Sequence, residues 1–430
     1  MTADDIAHLL RRTEFFAKPA RIAELGAGTT AAAVDSVLDF GPNGNPQLPA
    51  NLVNNDGSFD QKAEAFNWWL DSMATRPRPF QEKMALFWHG HFVSEWDVVG
   101  RTDHMTHQNQ LYRSMALGNF EALTQAMSIE PAMLLYLSNA TNFKTAPNEN
   151  FARELMELFT LSVGNYSEDD VAAAARAWTG YNYDNETHSY EYRSTKHDEG
   201  QKTFFGKTAN WNGPGTIHEI LVDNAEKRPI AAKYISKKLW EFLAYPHPAQ
   251  NIVDELADVF MANNLELTPL LRALLNRPEF YSDAAKQGLV RTPVEWSAAI
   301  LAATGLTSKA VGMYNNADRM GQRLFNPPNV AGWKNNTYWL TTSALSGRAS
   351  VARKAASLWS EANYSTVINM SATGALDFAA QMFAVAPLSA SSYNAILEAH
   401  QAERAASNNA KTTVTNLLML VMLTGEMNVG

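Results

Sequence analysis

The chain has 430 residues, of which 46% are apolar and 18% are charged, and this composition predicts a folded globular protein with a sizeable core. Its formal net charge of −9 argues against nucleic acid and anionic membranes as the main partners, because both favour clusters of Lys and Arg. The chain has no cysteine, which excludes disulfides, thiolate catalysis and Cys-ligated metals.

Helical periodicity dominates the chain. Apolar residues recur at helical spacing near 6–10, 31–40, 61–75, 80–88, 116–127, 131–137, 149–161, 171–179, 270–276 and 294–304. Two of these helices carry a predicted capping box at their start, Ser167 with Asp170 and Thr292 with Glu295. No apolar stretch approaches the roughly 18 residues of a membrane span.

Two stretches lack this periodicity. Residues 181–216 alternate aromatic and polar side chains, and residues 320–339 are rich in Asn, Pro and Gly. Long irregular segments in a compact domain are often functional. The sequence therefore predicts an all-α fold, a single multi-helix domain over 1–430 with long irregular loops and at most a small β-hairpin near 181–216.

Several segments, in one order along the chain, resemble a bacterial family named as domain of unknown function 1800. They include MALFWHGHF at 84–92, NENFARELMELFTLSVGNYSEDDV at 148–171, ARAWTGY at 175–181 and MGQRLFNPPNVAGW at 320–333. The family-like core is expected at about 8–350, with C-terminal helices at 351–430 packing on it. The resemblance implies an exported bacterial protein, periplasmic or secreted, with a sulfatase-like companion. The N-terminal sequence has no basic and apolar signal-peptide pattern, so no export signal is visible.

The predicted helix 149–161 holds the densest polar set. Glu149, Arg153 and Glu157 share one face at i, i+4 and i+8, and Glu154 groups with Glu157. One interpretation is a solvated face with ion pairs. The other is a catalytic carboxylate pair in a cleft, with one acid raised in pKa by burial. The neighbouring amides of Asn148 and Asn150 would then bind a hydroxyl-rich ligand.

The segment Trp88–Phe92 carries two histidines, His89 and His91, separated by Gly90. On a regular helix they would point about 200° apart, so only a helix end at the glycine would bring them together. One interpretation is structural, with one ring capping carbonyls and the other packed among aromatic residues. The other is a proton-transfer or divalent-metal site, with His197, Asp198 or Glu154 as a third ligand.

A third set lies in the loop 197–202, where His197, Asp198 and Lys202 form an acid, base and cation group. Aromatic side chains in or near the irregular stretches suit sugar stacking or a small loop core, and Trp178, Tyr181 and Trp333 are the predicted substrate-binding ones. We expect the loop to fold against the helix 149–161 and the segment 89–92. Lys202 would then pair with a helix carboxylate, and Asp198 would pair with Arg153 or orient a histidine.

These sets lead to three hypotheses about function. The first is a hydrolase that uses carboxylate and histidine acid–base chemistry on a polar, polysaccharide-like substrate or small molecule. The second is a non-catalytic binding or assembly partner of the sulfatase-like companion. The third is a metal-dependent enzyme built on His89 and His91. The sequence has no P-loop, dinucleotide fingerprint or nucleophile elbow, so no nucleotide cofactor is expected.

Overall fold

The computed structural model describes residues 1–44, 47–53, 58–286, 288–406 and 409–430. Helices make up 67% of the structure. The α-helices of the described residues are α1 Ala3–Thr13, α2 Pro19–Gly26, α3 Thr30–Leu38, α4 Phe59–Thr75, α5 Phe80–His91, α6 Trp96–Val99, α7 Thr102–Ser114, α8 Phe120–Ser128, α9 Pro131–Tyr136, α10 Asn150–Glu154, α11 Glu168–Ala177, α12 Gly213–His218, α13 Lys227–Leu243, α14 Gln250–Ala262, α15 Leu267–Leu275, α16 Asp283–Lys286, α17 Pro293–Thr304, α18 Ser308–Val311, α19 Met313–Met320, α20 Thr342–Ile368, α21 Ala372–Met382, α22 Ala390–Ala406, α23 Ala410–Met422 and α24 Gly425–Asn428.

Two small antiparallel hairpins lie within the stretch 181–216, one more than the sequence predicted. They pair β1 Tyr181–Asp184 with β2 Ser189–Tyr192, and β3 Lys202–Phe204 with β4 Lys207–Ala209. The second hairpin turns at Phe205 and Gly206, which both have the positive φ of a type I′ turn. The turn conformation therefore decides this pairing. Strands of three residues are too short for an alternation of apolar and polar side chains to predict them.

The predicted capping boxes are confirmed. The Ser167 side chain accepts a hydrogen bond from the Asp170 N–H, and the Asp170 carboxylate accepts one from the Ser167 N–H. Thr292 and Glu295 make the same reciprocal pair at the start of α17, with Pro293 at the first helical position. These contacts join residues three apart, so local sequence is enough to form them.

The helices form one mostly helical domain. A continuous cluster of buried apolar side chains runs from α1 to α24 and includes the buried indoles Trp69, Trp88, Trp178, Trp240 and Trp296. The long helix α20 packs against α17, α19 and α23, so the C-terminal helices join the same core. No helix of the described residues is long and apolar enough to cross a membrane.

Two helices end in π-helical turns, at Leu155–Thr160 after α10 and at Glu219–Asp223 after α12. A π turn bonds i to i+5, and such turns often occur at functional sites. The first one ends the helix predicted at 149–161. Near its end, the carbonyl groups of Leu158 and Phe159 accept side-chain hydrogen bonds from Tyr234 on α13 and His91 on α5.

Candidate functional site

The charged face of α10 lies at the surface. Arg153 donates to Glu149 at 3.0 Å and to Glu168 at 2.7 Å. The Glu149 side chain is 48% exposed and that of Glu168 is 76% exposed, so these pairs are solvated. Asn150 is exposed as well, and the half-buried Asn148 uses its amide oxygen to accept the Asn150 N–H. This end of the helix matches the ion-pair interpretation.

The other two carboxylates of the helix are half-buried. Burial raises the pKa of Glu154, and the neighbouring Glu157 charge raises it further. Glu157 accepts a hydrogen bond from the Tyr166 hydroxyl. Burial and then the Glu157 charge raise the pKa of Tyr234 to about 12, which places Glu157 on the side of the helix that faces α13.

The charges of the loop 197–202 are satisfied within the loop and by α11. Asp198 accepts from Arg176 at 2.7 Å rather than from the predicted Arg153. The Lys202 ammonium donates to the backbone carbonyls of Asp198 at 2.5 Å and Gly200 at 2.9 Å rather than to a helix carboxylate. His197 is buried and donates from Nδ1 to the Thr179 carbonyl at 2.7 Å. The three side chains thus pin the loop onto α11.

The aromatic residues Trp178 and Tyr181 form a small core beneath the hairpins. Both are buried, and their ring centroids are 4.9 Å apart. The Trp178 indole N–H donates to the Thr216 hydroxyl at 3.1 Å. Gly213 packs so closely on this indole that a Cβ there would lie 2.6 Å from ring carbons. These two rings therefore hold the stretch 181–216 together and do not offer a stacking surface.

His89 and His91 lie on the last turn of α5 in different surroundings. His89 is buried against the rings of Trp69 and Trp333, and its Nε2 accepts the Phe325 N–H at 3.1 Å. Burial lowers the pKa of His89 to about 3, so this imidazole is neutral. It anchors the irregular stretch after α19.

Both ring nitrogens of His91 have defined partners. Its Nε2 lies 3.0 Å from the Phe159 carbonyl, so this nitrogen carries the proton. Burial and the nearby Lys238 charge lower the pKa of His91 well below its usual value, and the neutral ring therefore has a lone pair on Nδ1. The Lys238 Nζ lies 2.8 Å from that nitrogen and donates to it. The hydrogen bond to the π turn thus selects the His91 tautomer whose Nδ1 accepts a hydrogen bond from Lys238.

The histidines His89, His91 and His197 do not converge on one point. Across residues 1–44, 47–53, 58–286, 288–406 and 409–430, no group of three or more His, Cys, Asp or Glu side chains could hold a metal ion. The geometry of these histidines therefore does not support the predicted divalent-metal site.

A cleft of about 130 Å³ opens beside His91 and Lys238. Its walls come from the end of α5, the second half of α13, the cap of α17 and the irregular stretch after α19. The lining residues are Leu86, Phe87, Gly90, His91, Lys238, Glu241, Phe242, Thr292, Gln322, Ala331, Trp333 and Asn335. The cleft combines an apolar floor with a few polar groups, as ligand sites do.

The stretch after α19 closes one side of the cleft through a close backbone contact. Gly332 has a φ of +77°, and a Cβ at this position would lie 2.6 Å from the Gly90 carbonyl oxygen. Two glycines therefore let this stretch lie directly on the end of α5. The half-buried Trp333, predicted as a substrate-binding residue, is held at the wall of the cleft by this contact and by the His89 ring.

Lys238 has an environment that favours its neutral form. Burial lowers the pKa of Lys238 to about 8, and the Glu241 charge offsets this only in part. Its Nζ lies 5.2 Å from the centre of the Tyr234 ring, and Phe87 and Phe242 line the same cleft. Glu241 accepts the His247 N–H at 3.2 Å and also lines the cleft.

Sequence reasoning missed Lys238, Glu241, Gln322 and Asn335. A signal for Lys238 does exist, because this lysine lies on the apolar face of α13, three residues after the buried Ile235. A cation on a buried stripe is unusual and points to a partner or a function. Its histidine partner, 147 positions earlier, has no signal in the sequence.

Comparison with known proteins gives one match. Neither the search of curated proteins nor the search of solved structures finds a similar one. A family model described as "Protein of unknown function (DUF1800)" matches residues 8–429, which extends the expected family-like core from about 350 to almost the end of the chain. The chain belongs to the DUF1800 family.

Proposed function

We propose that the protein is a hydrolase and that the cleft beside Lys238 is its active centre. The observation that carries this proposal is the contact of Lys238 with neutral His91 at the wall of the cleft. A cation with few polar partners in an apolar site acts strongly on charge that develops in a bound substrate.

Two side chains have direct roles in this mechanism. In its ammonium form, Lys238 stabilises the oxygen that gains charge and donates a proton to the leaving group. The Glu241 carboxylate accepts a proton from the attacking water. His91 is a positioning residue, since its Nδ1 holds the Lys238 amine and its Nε2–H is bound to the Phe159 carbonyl.

The remaining lining residues favour a polar substrate. Thr292, Gln322 and Asn335 bring hydroxyl and amide groups, and Trp333 adds an aromatic wall. Pockets for drug-sized ligands are usually about 300–1,000 Å³. A cleft of about 130 Å³ therefore suits a small molecule or the end of a longer chain such as a polysaccharide.

The test is a substrate screen with chromogenic glycosides, carboxylic esters, phosphate esters and sulfate esters. With any substrate that turns over, Lys238→Met should reduce kcat by about 100-fold or more, as loss of a proton donor does. Wild-type kcat should fall above about pH 8, because the ammonium form is lost there. His91→Phe removes the acceptor that stabilises the ammonium, so it should move this fall to lower pH.

Lys233→Met is the matched control. Lys233 lies on the same helix, is 46% exposed and pairs with Asp254 at 2.8 Å, so kcat should not change. A substrate hydrolysed equally well by wild type and Lys238→Met, with no alkaline fall, would refute the proposed role of this cleft.

A second candidate is a non-catalytic binding partner of a sulfatase-like companion. The observation that favours it is the aromatic outer face of the first hairpin, where Tyr192 is 43% exposed. Titration of the purified companion against wild type and Tyr192→Ala separates the two candidates. Binding weakened by Tyr192→Ala, together with no turnover in the screen, would favour this function over hydrolysis.

A further inference from the structure

Lys238 is a half-buried cation with few compensating groups. In the described part of the chain it forms no ion pair within 4.0 Å, whereas the neighbouring Lys233 pairs with Asp254 and Lys237 lies 4.0 Å from Glu241. The hydrogen-bond partner of its amine is a neutral ring nitrogen, which brings no negative charge to the ammonium form. Deprotonation of the Lys238 amine therefore breaks no ion pair.

We propose that unprotonated Lys238 is a nucleophile that forms an imine with small aldehydes or ketones in the cleft. The Nζ lone pair forms a bond to the carbonyl carbon, and the carbonyl oxygen leaves as water with both amine hydrogens. The product is a C=N bond between Lys238 and the ligand, and no electrons are gained or lost. Desolvated lysines in apolar pockets use this chemistry with carbonyl compounds.

The ligand class follows from the walls of the cleft. The small volume admits a short carbonyl compound or the open-chain end of a longer one. Thr292, Gln322 and Asn335 offer hydroxyl and amide partners, which favour a carbonyl compound with hydroxyl groups. The simplest probe with both features is glycolaldehyde.

The groups that face the amine set its response to pH. They are His91 from α5, Tyr234 and Glu241 from α13 itself, and Glu157 beyond the Tyr234 ring. With its pKa lowered to about 8, Lys238 has on the order of a hundredfold more free amine at pH 7 than a lysine at the ordinary 10.5. This reaction rests on the same cleft as the proposed hydrolysis, but it needs the opposite protonation state.

The experiment is reductive trapping on the full chain. Wild-type protein is treated with glycolaldehyde and sodium cyanoborohydride between pH 6 and 9, and the modified lysines are located by peptide mass spectrometry. Lys238 should be modified on the order of a hundredfold faster than Lys233 and Lys237 at pH 7. The advantage should shrink towards pH 9, because Lys238 is then almost fully unprotonated while the free-amine fraction of the exposed lysines is still rising.

Two variants complete the test. Lys238→Met should remove the fast adduct and leave the slow surface labelling, with the folded state checked by its thermal unfolding. His91→Phe should move the midpoint of fast labelling below pH 8. Fast labelling that persists in Lys238→Met, or exposed lysines labelled before Lys238 in wild type, would overturn the proposal.

The two proposals about this cleft fail separately. A negative substrate screen with fast trapping at Lys238 would remove the hydrolase and keep the nucleophile. Turnover that falls above pH 8 with no trapping at Lys238 would remove the nucleophile and keep the hydrolase, because hydrolysis needs the ammonium and imine formation needs the amine.

Discussion

Glu295→Gln tests the electrostatics beneath the cleft. Glu295 forms a buried ion pair with Lys83. Its charge also acts on the buried guanidinium groups of Arg12, Arg291 and Arg348. The Nε atoms of these three arginines are buried and have no hydrogen-bond partner among the described residues. One carboxylate therefore compensates four buried cations.

The expected loss of unfolding free energy in Glu295→Gln follows from this excess of buried positive charge. Removing one partner of a buried ion pair costs about 3–5 kcal/mol, because the other charge is left uncompensated. Glutamine keeps the acceptor for the Thr292 N–H, so little of the loss comes from the helix cap. An unfolding entropy of about 2.1 cal/mol/K per residue over 430 residues predicts a Tm lower by about 3–6 °C.

Lys83→Met should cost less than Glu295→Gln, because Glu295 keeps the three arginines as partners after the lysine is lost. Glu64→Gln, at a position where 38% of the side chain is exposed and the carboxylate lies 3.9 Å from Lys309, is the control and should change the unfolding free energy by less than about 1 kcal/mol. Calorimetry and urea denaturation measure all three. A Glu295→Gln loss below about 1 kcal/mol, or one smaller than that of Lys83→Met, would refute the reasoning.

The effect of Glu295→Gln should also depend on pH. Burial alone would raise the pKa of Glu295, but the Lys83 charge and hydrogen bond outweigh it and lower the pKa below the usual 4.5. The stabilisation is therefore present above pH 4.5 and is lost as pH falls through the lowered folded value. The difference between wild type and Glu295→Gln should shrink on acidification, and a constant difference down to pH 2 would contradict this linkage.

Three further predictions concern other parts of the structure. Gly305→Ala, at a φ of +69° with open space around it, should cost about 1–2 kcal/mol of unfolding free energy. Gly332→Ala should cost about 1–3 kcal/mol more, because its Cβ meets the Gly90 carbonyl. Equal losses of the two variants in urea denaturation would contradict the close contact. Arg153→Ala should leave Tm unchanged, since its pairs are solvated, and a large drop would indicate a buried role for that helix face. Burial lowers the pKa of His89 to about 3, so the unfolding free energy should fall by up to about 1.4 kcal/mol per pH unit between pH 6.5 and 3. His89→Gln keeps an acceptor for the Phe325 N–H and should flatten this dependence of unfolding free energy on pH. An unchanged dependence would exclude His89 as its source.

The helical fold was predictable from the sequence because it rests on short-range relations. The reciprocal contacts of Ser167 with Asp170 and of Thr292 with Glu295 join residues three apart, and the apolar faces repeat every three or four residues. The hairpins were harder to predict, since strands of three or four residues depend on turn conformation and on packing beneath them.

Partner choice for the charged groups was decided by the tertiary structure. Arg153 and Arg176 are equivalent choices for Asp198 in the sequence, but the loop lies on α11, so Arg176 receives the carboxylate. Arg153 pairs with Glu168 at the surface instead. Either arginine could attract the Asp198 carboxylate equally well, so only the packing of the loop on α11 selects Arg176.

The cleft depends on contacts between residues far apart in the chain. His91 and Lys238 are separated by 147 positions, and the tautomer that joins them depends on the Phe159 carbonyl, freed by a π turn. The sequence by itself determined the helices, their caps and the family. The packing of α5 against α13 decided which of the polar residues meet, because pairing energies arise only after the chain has brought those groups together.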